Sequence, residues 1–109
     1  MKKKREFTES SGNVFADLGV EAPEEALAKA KLAAQLSKII SGRKLTQVAA
    51  AQLLGIDQPK VSALLRGRLT SFSTERLIRF LNLLGRDVEI VVRQRPQRRG
   101  HGHLQVLAG

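Results

Sequence analysis

The sequence predicts an all-α fold: a bundle of four main helices, closed by a β-strand over residues 87–93 that pairs across a dimer. Three observations predict it. Apolar residues recur at helical spacing in four stretches, each opened by a capping residue or a proline. Two of these stretches are separated by only three residues, so their helices must cross steeply. At Asp87 the apolar period drops from that of a helix to that of a strand.

Residues 1–22 form an N-terminal arm, read as partly disordered. Its basic start, KKKR, reads as a solvated tail in preference to a specific DNA arm. Asn13 to Gly19 (NVFADLG) is too apolar for a free tail and too short for a helix; it either docks on the domain or waits for a partner protein. The domain itself spans residues 23–93. Pro23 opens a long helix to about Ser41, with Glu24 and Glu25 in its first turn, where the helix dipole favours acids. Leu27, Ala28, Leu32, Leu36, Ile39 and Ile40 are its expected buried stripe, with Lys29, Lys31 and Lys38 outward. Gly42 can cap it. Arg43 and Lys44 then lie where backbone phosphates could be met, with a solvated loop pair as the plainer alternative.

Leu45 to Gly67 (LTQVAAAQLLGIDQPKVSALLRG) is the stretch the chain is organised around. Thr46 can accept from an otherwise orphaned amide of the first turn. Val48, Ala49, Gln52 and Leu53 follow at helical spacing, and Gly55 suits the left-handed turn that ends the helix. Asp57 opens the second helix, its charge matching the positive helix end. Ile56 and Val61 are spaced as a hydrophobic staple, and Pro59 sits in the first turn, where a missing N–H costs nothing. Val61, Leu64 and Leu65 point at a core, leaving Gln58, Pro59, Lys60, Ser62, Ala63 and Arg66 on the other side. Lys60 opposes the dipole, a cost of ~0.3–1 kcal/mol. A lysine beside a glutamine at a helix start makes sense if that end meets phosphates and base edges.

After Gly67 comes RLTSFS, then a helix from Thr74 to Leu84, with Ser73 as N-cap and Leu77, Ile78, Phe80, Leu81 and Leu84 inward. Gly85 ends it; Arg76 and Arg79 are expected in solvent. In Asp87 to Arg93, Val88, Ile90 and Val92 alternate with their neighbours. A lone strand leaves its backbone groups unpaired, so the same strand of a second copy is the expected partner. Residues 94–109 (QRPQRRGHGHLQVLAG) read as a flexible basic tail, in which His101 and His103 lack companions for a metal site.

Charge and composition narrow the function. The formal net charge is +9 over 109 residues, and it is unevenly placed. Residues 43–86 hold eight cations against two acids, whereas residues 6–42 hold six acids against three cations. A basic block beside an acidic leading segment is the footprint of a polyanion binder. The absence of cysteine excludes disulfides and cysteine-based zinc sites and makes a reducing cytoplasm the natural home. No run of about eighteen apolar residues exists to span a membrane. The start lacks the apolar stretch of a secretory signal. With no Trp or Tyr, the stacking platforms of single-strand binders are missing, which counts against RNA. No nucleophilic cysteine, core histidine or paired carboxylate suggests an enzyme, and no cofactor or metal is expected.

The residues LTQ…A..LGI.Q..VS.L..G resemble the phage-repressor helix-turn-helix family, often called Xre or Cro/repressor. The flanks SSGNVFADLG and FSTERLIRFLNLLGRDVEIVV resemble a narrower branch of small HigA-like antitoxins and regulators. The resemblance implies a repressor that binds a double-stranded DNA operator as a homodimer. Gln58, Pro59, Lys60, Ser62 and Ala63 would then face base edges; Arg43, Lys44, Thr46, Gln47, Arg66, Arg68 and Ser71 would meet phosphates. The general family closes with a fifth helix; this chain has the strand pattern at Val88, Ile90 and Val92 instead, which favours a strand-mediated dimer. The narrower branch implies a toxin protein as a further partner. A stand-alone regulator, or less readily an RNA binder, is the alternative.

Overall fold

The computed structural model describes residues 22–94 and 102–108. The expectations for KKKR, for NVFADLG and for His101 lie outside the described residues. Among the described residues four helices are formed: α1 (Pro23–Gly42), α2 (Gln47–Leu54), α3 (Gln58–Leu65) and α4 (Thr74–Leu83). α1 packs against α4 and α3, and α2 packs against α3 and α4, so one core lies between all four.

Helix starts follow the predicted chemistry. Pro23 occupies the first turn of α1, with Glu24 and Glu25 beside it. The Thr46 and Ser73 hydroxyl oxygens accept from the amides of Ala49 and Arg76, at 3.0 and 3.1 Å. The Asp57 carboxylate accepts from Lys60 N–H at 3.0 Å. Each cap satisfies one donor that the helix itself leaves unpaired.

The stripe on α1 departs from expectation at its first turn. Leu27 is 57 % exposed, whereas Lys29 is buried among Ala28, Leu32, Ala33, Leu36, Ile39 and Ile40. Helical phase explains both. Lys29 lies two full turns before Leu36 and shares its face, whereas Leu27 lies two and a half turns before it and faces away. A lysine can occupy such a position because its methylene stem is apolar. On α2 the buried residues are Ala50, Ala51 and Leu54, while Val48 and Leu53 stay exposed.

Phe72 closes the core beneath α4. It is 1 % exposed and meets Phe80 edge to face, with ring centroids 6.0 Å apart. The Arg76 guanidinium lies over both rings, 5.4 and 5.6 Å from their centroids, and is thus half-buried where a solvated side chain was expected.

Beyond α4 no strand forms in the single chain among the described residues. Val88 is half-buried against the core, whereas Ile90, Val91 and Val92 are exposed. A ladder needs a partner backbone, and one chain supplies none here. Residues 102–108, expected in a flexible tail, instead lie along α1. His103 Nδ1 pairs with a Glu24 carboxylate oxygen, Leu104 N–H donates to the other at 3.1 Å, and Val106 packs against the core.

Truncation at the two ends of this burial scale separates the core from the surface. Phe72→Ala lowers the unfolding free energy by about 3–5 kcal/mol in urea titration, the usual cost of an aromatic-sized cavity. Leu27→Ala, on the outer face of α1, changes it by less than about 0.5 kcal/mol.

Candidate nucleic-acid interface

The turn between α2 and α3 is three residues long: Gly55, Ile56 and Asp57. Gly55 takes a left-handed conformation (φ +71°), and Ile56 N–H then donates back to the Ala51 carbonyl at 3.1 Å. Ile56 is partly buried against the core cluster that contains fully buried Val61, the residue with which the sequence pairs it as a staple. Ala50, also fully buried, has a side chain small enough to let the two helices approach closely.

This packing divides α3. Val61 and Leu64 are 0 and 1 % exposed and anchor its inner side. Gln58, Pro59 and Lys60 in the first turn are exposed, while Ser62 and Ala63 on the same helix are half-buried. The five residues assigned to base edges therefore differ: three stand clear of the body and two are partly shielded by it. Gln52 of α2 lines an open groove together with Val48, Ile56 and Gln58. In the sequence, Gln52 shows only as part of the helical pattern. Its place beside Gln58 depends on the crossing of α2 over α3, which is not a local property.

The residues assigned to phosphates divide as well. Lys44, Arg66, Arg68 and Ser71 are exposed around α2 and α3, and Gln47 is half-buried at the start of α2. Thr46 uses its oxygen as the cap of α2 and retains its hydroxyl proton for a donor role. Arg43 is committed differently: its guanidinium donates to the Leu84 carbonyl at the end of α4.

Lys44 has a conformational peculiarity. All four helices end in one pattern, where the residue after a left-handed position donates its N–H to a carbonyl five residues back. These bonds are Leu45 to Ile40, Ile56 to Ala51, Arg68 to Ala63 and Arg86 to Leu81, at 2.9 to 3.1 Å. Three of the left-handed residues are glycines; the fourth is Lys44, with φ +54°. Gly42, the expected cap, lies inside α1 instead. Only Lys44 carries a β-carbon into this conformation, which costs a side-chain-bearing residue about 1–2 kcal/mol. Strain of this kind persists where the residue has another use.

Comparison with known proteins agrees with this geometry. A family model described as a helix-turn-helix domain matches residues 14–93. A solved structure of a candidate XRE family transcriptional regulator is 48 % identical, covers 79 % of this chain and 97 % of its own, and superposes with a TM-score of 0.72. No curated protein matches the chain. Among the described residues, no helix is long and apolar enough to cross a membrane, and no His, Cys, Asp and Glu cluster could hold a metal ion.

The strain at Lys44 is measurable without DNA. Lys44→Gly raises the unfolding free energy by about 1 kcal/mol, because glycine adopts a positive φ freely. Lys44→Ala, which keeps the β-carbon, gives no such gain in the same denaturant titration.

Proposed function

The chain belongs to the helix-turn-helix domain family, and from that premise we propose that it is a sequence-specific transcriptional repressor, reading the major groove of an operator with α3 as a homodimer. The observation that carries this reading is the exposed first turn of α3. Gln58, Pro59 and Lys60 stand clear while Val61 and Leu64 lock the opposite side into the core. Gln58 can bind adenine bidentately, Lys60 can reach guanine or phosphate, and Pro59 and Ala63 can meet thymine methyls. Lys44, Thr46, Gln47, Arg66, Arg68 and Ser71 flank α2 and α3 in the chain and would supply the contacts that fix register on the duplex. The basic balance of residues 43–86 favours a polyanion over any neutral ligand.

Dimer formation is supported by exposed apolar surface at one end of the domain. Ile90, Val91 and Val92 are 77, 64 and 91 % exposed, and Leu83 of α4 adds 52 %. Pairing residues 87–93 with their counterpart would satisfy the backbone and cover these side chains together. Ile90→Lys combined with Val92→Lys should therefore yield a monomer by sedimentation, with the helical circular dichroism signal retained.

A second reading adds a toxin partner. The acidic leading segment and exposed Leu27 of α1 offer a surface for a basic protein. Co-expression with the product of an adjacent reading frame decides it: a stable complex and restored growth support an antitoxin role, and their absence leaves a plain regulator.

Binding-site selection on random duplexes tests the main reading. A palindromic site with half-sites about one helical turn apart is the expected return. The pair Gln58→Ala and Lys60→Ala should weaken binding to that site by ~10-fold or more, a bidentate contact being worth about 1–3 kcal/mol, with a much smaller loss on random duplex. Equal losses on both would remove α3 from the role of reader.

A further inference from the structure

Arg43 occupies a junction that DNA reading by α3 does not explain. It directly follows α1, and its N–H donates to the Ile39 carbonyl at 2.9 Å. Its side chain leaves that turn and donates through Nη2 to the carbonyl of Leu84, 41 residues further on. Leu84 is the C-terminal cap of α4, where carbonyls lack donors within the helix and the helix dipole is negative. A guanidinium suits that position on both counts. Gly85 follows with φ +83°, and a β-carbon built there would stand 3.7 Å from the same Nη2. Arg86 then completes the turn by donating to Leu81 at 2.9 Å, and the segment with Val88, Ile90 and Val92 begins. On its other side, Arg43 adjoins strained Lys44 and lies three residues before Thr46, the cap of α2.

One side chain thus fastens the turn on the phosphate side of the reading unit to the root of the segment proposed to pair with a second copy. We propose that Arg43 is a positioning residue that sets the direction in which residues 86–94 leave the domain, and hence the separation of the two reading helices. The proposal rests on the DNA-binding dimer described above. Its physical content is preorganisation. Two helices must reach successive major grooves together, and a root free to swing lowers the effective concentration of the second helix at its half-site.

The test uses full-length protein with Arg43→Gln, Arg43→Lys and, for comparison, Lys44→Gln. Two duplexes are needed, one with both selected half-sites and one with a single half-site. In Arg43→Gln the ratio of two-site to one-site affinity should fall about tenfold or more, through lost effective concentration. The salt dependence of one-site binding should keep its slope. Arg43→Lys, which retains a cationic donor, should recover part of the ratio. Lys44→Gln should do the opposite, lowering the slope by about one while sparing the ratio.

Amide exchange without DNA gives an independent readout. Arg43→Gln should speed exchange at Gly85 and Arg86 while leaving the amides of α3 at their original rates. A slope reduced by about one in Arg43→Gln with the ratio intact would make Arg43 a phosphate ligand and overturn the proposal. An unchanged ratio with an unchanged slope, or exchange accelerated uniformly in all helices, would overturn it too. If the unsubstituted protein selects no duplex, the DNA reading fails, and the exchange pattern alone decides whether Arg43 holds this root.

Discussion

An eight-residue helix cannot hold itself in place, and α3 has eight residues. In water, helices shorter than about 12–15 residues are marginal even for favourable sequences, so α3 must be held from outside. The anchorage is Val61 and Leu64, closed into the core from one side only. The Asp57 carboxylate at the start and the Gly67 turn at the end remove the remaining freedom. Because every anchor lies inward or at a terminus, the outer half of the first turn remains unobstructed. Exposure of Gln58, Pro59 and Lys60 is a consequence of where the holding forces act. The Asp57 charge also offsets the unfavourable placement of Lys60 near the positive helix end.

The same logic extends to the turns. Four helices stop in one hydrogen-bonded pattern, in which a carbonyl left open at each helix end is met by an amide five residues on. Glycine occupies the left-handed position three times, whereas Lys44 bears the conformation with a full side chain. Stability alone would favour glycine there as well. The exception falls between Arg43, which reaches to α4, and Thr46, which starts α2. Strain and charge therefore coincide at the turn that joins α1 to α2 and that Arg43 ties to the end of α4.

Much of this was legible in the sequence because it is local. Caps at Thr46, Asp57 and Ser73, the proline start of α1 and the glycine stops after α2, α3 and α4 all depend on residues within one turn of each other. The misjudged features depend on phase or on distance. Leu27 was grouped with the core although it lies half a turn out of register with Leu36, and Lys29 was placed outside because charge outweighed position. The contact of Arg43 with the Leu84 carbonyl was not legible, because that partner is a backbone atom far along the chain. The docking of residues 102–108 on Glu24 is equally non-local, and a short glycine-flanked segment carries no periodicity that would announce it. The strand expected over residues 87–93 is a different case: it forms no ladder among the described residues.

That last point bears on why one copy would be insufficient. On the proposed reading the exposed first turn of α3 presents Gln58 and Lys60 as its two hydrogen-bonding side chains, and each good bidentate pair discriminates by about 1–3 kcal/mol. Specific sites must be preferred over competing duplex by roughly 4–10 kcal/mol. Two such pairs amount to about 2–6 kcal/mol, which reaches only the lower part of that range, and phosphate contacts cannot raise it, because they strengthen all sequences alike. Duplicating the reader on a fixed spacing doubles the discriminating contacts and adds spacing itself as a criterion. The surface proposed for this duplication is the exposed apolar set Leu83, Ile90, Val91 and Val92 at and beyond the end of α4. The Arg43 tether matters in this light because discrimination by spacing is only as sharp as the joint that sets it.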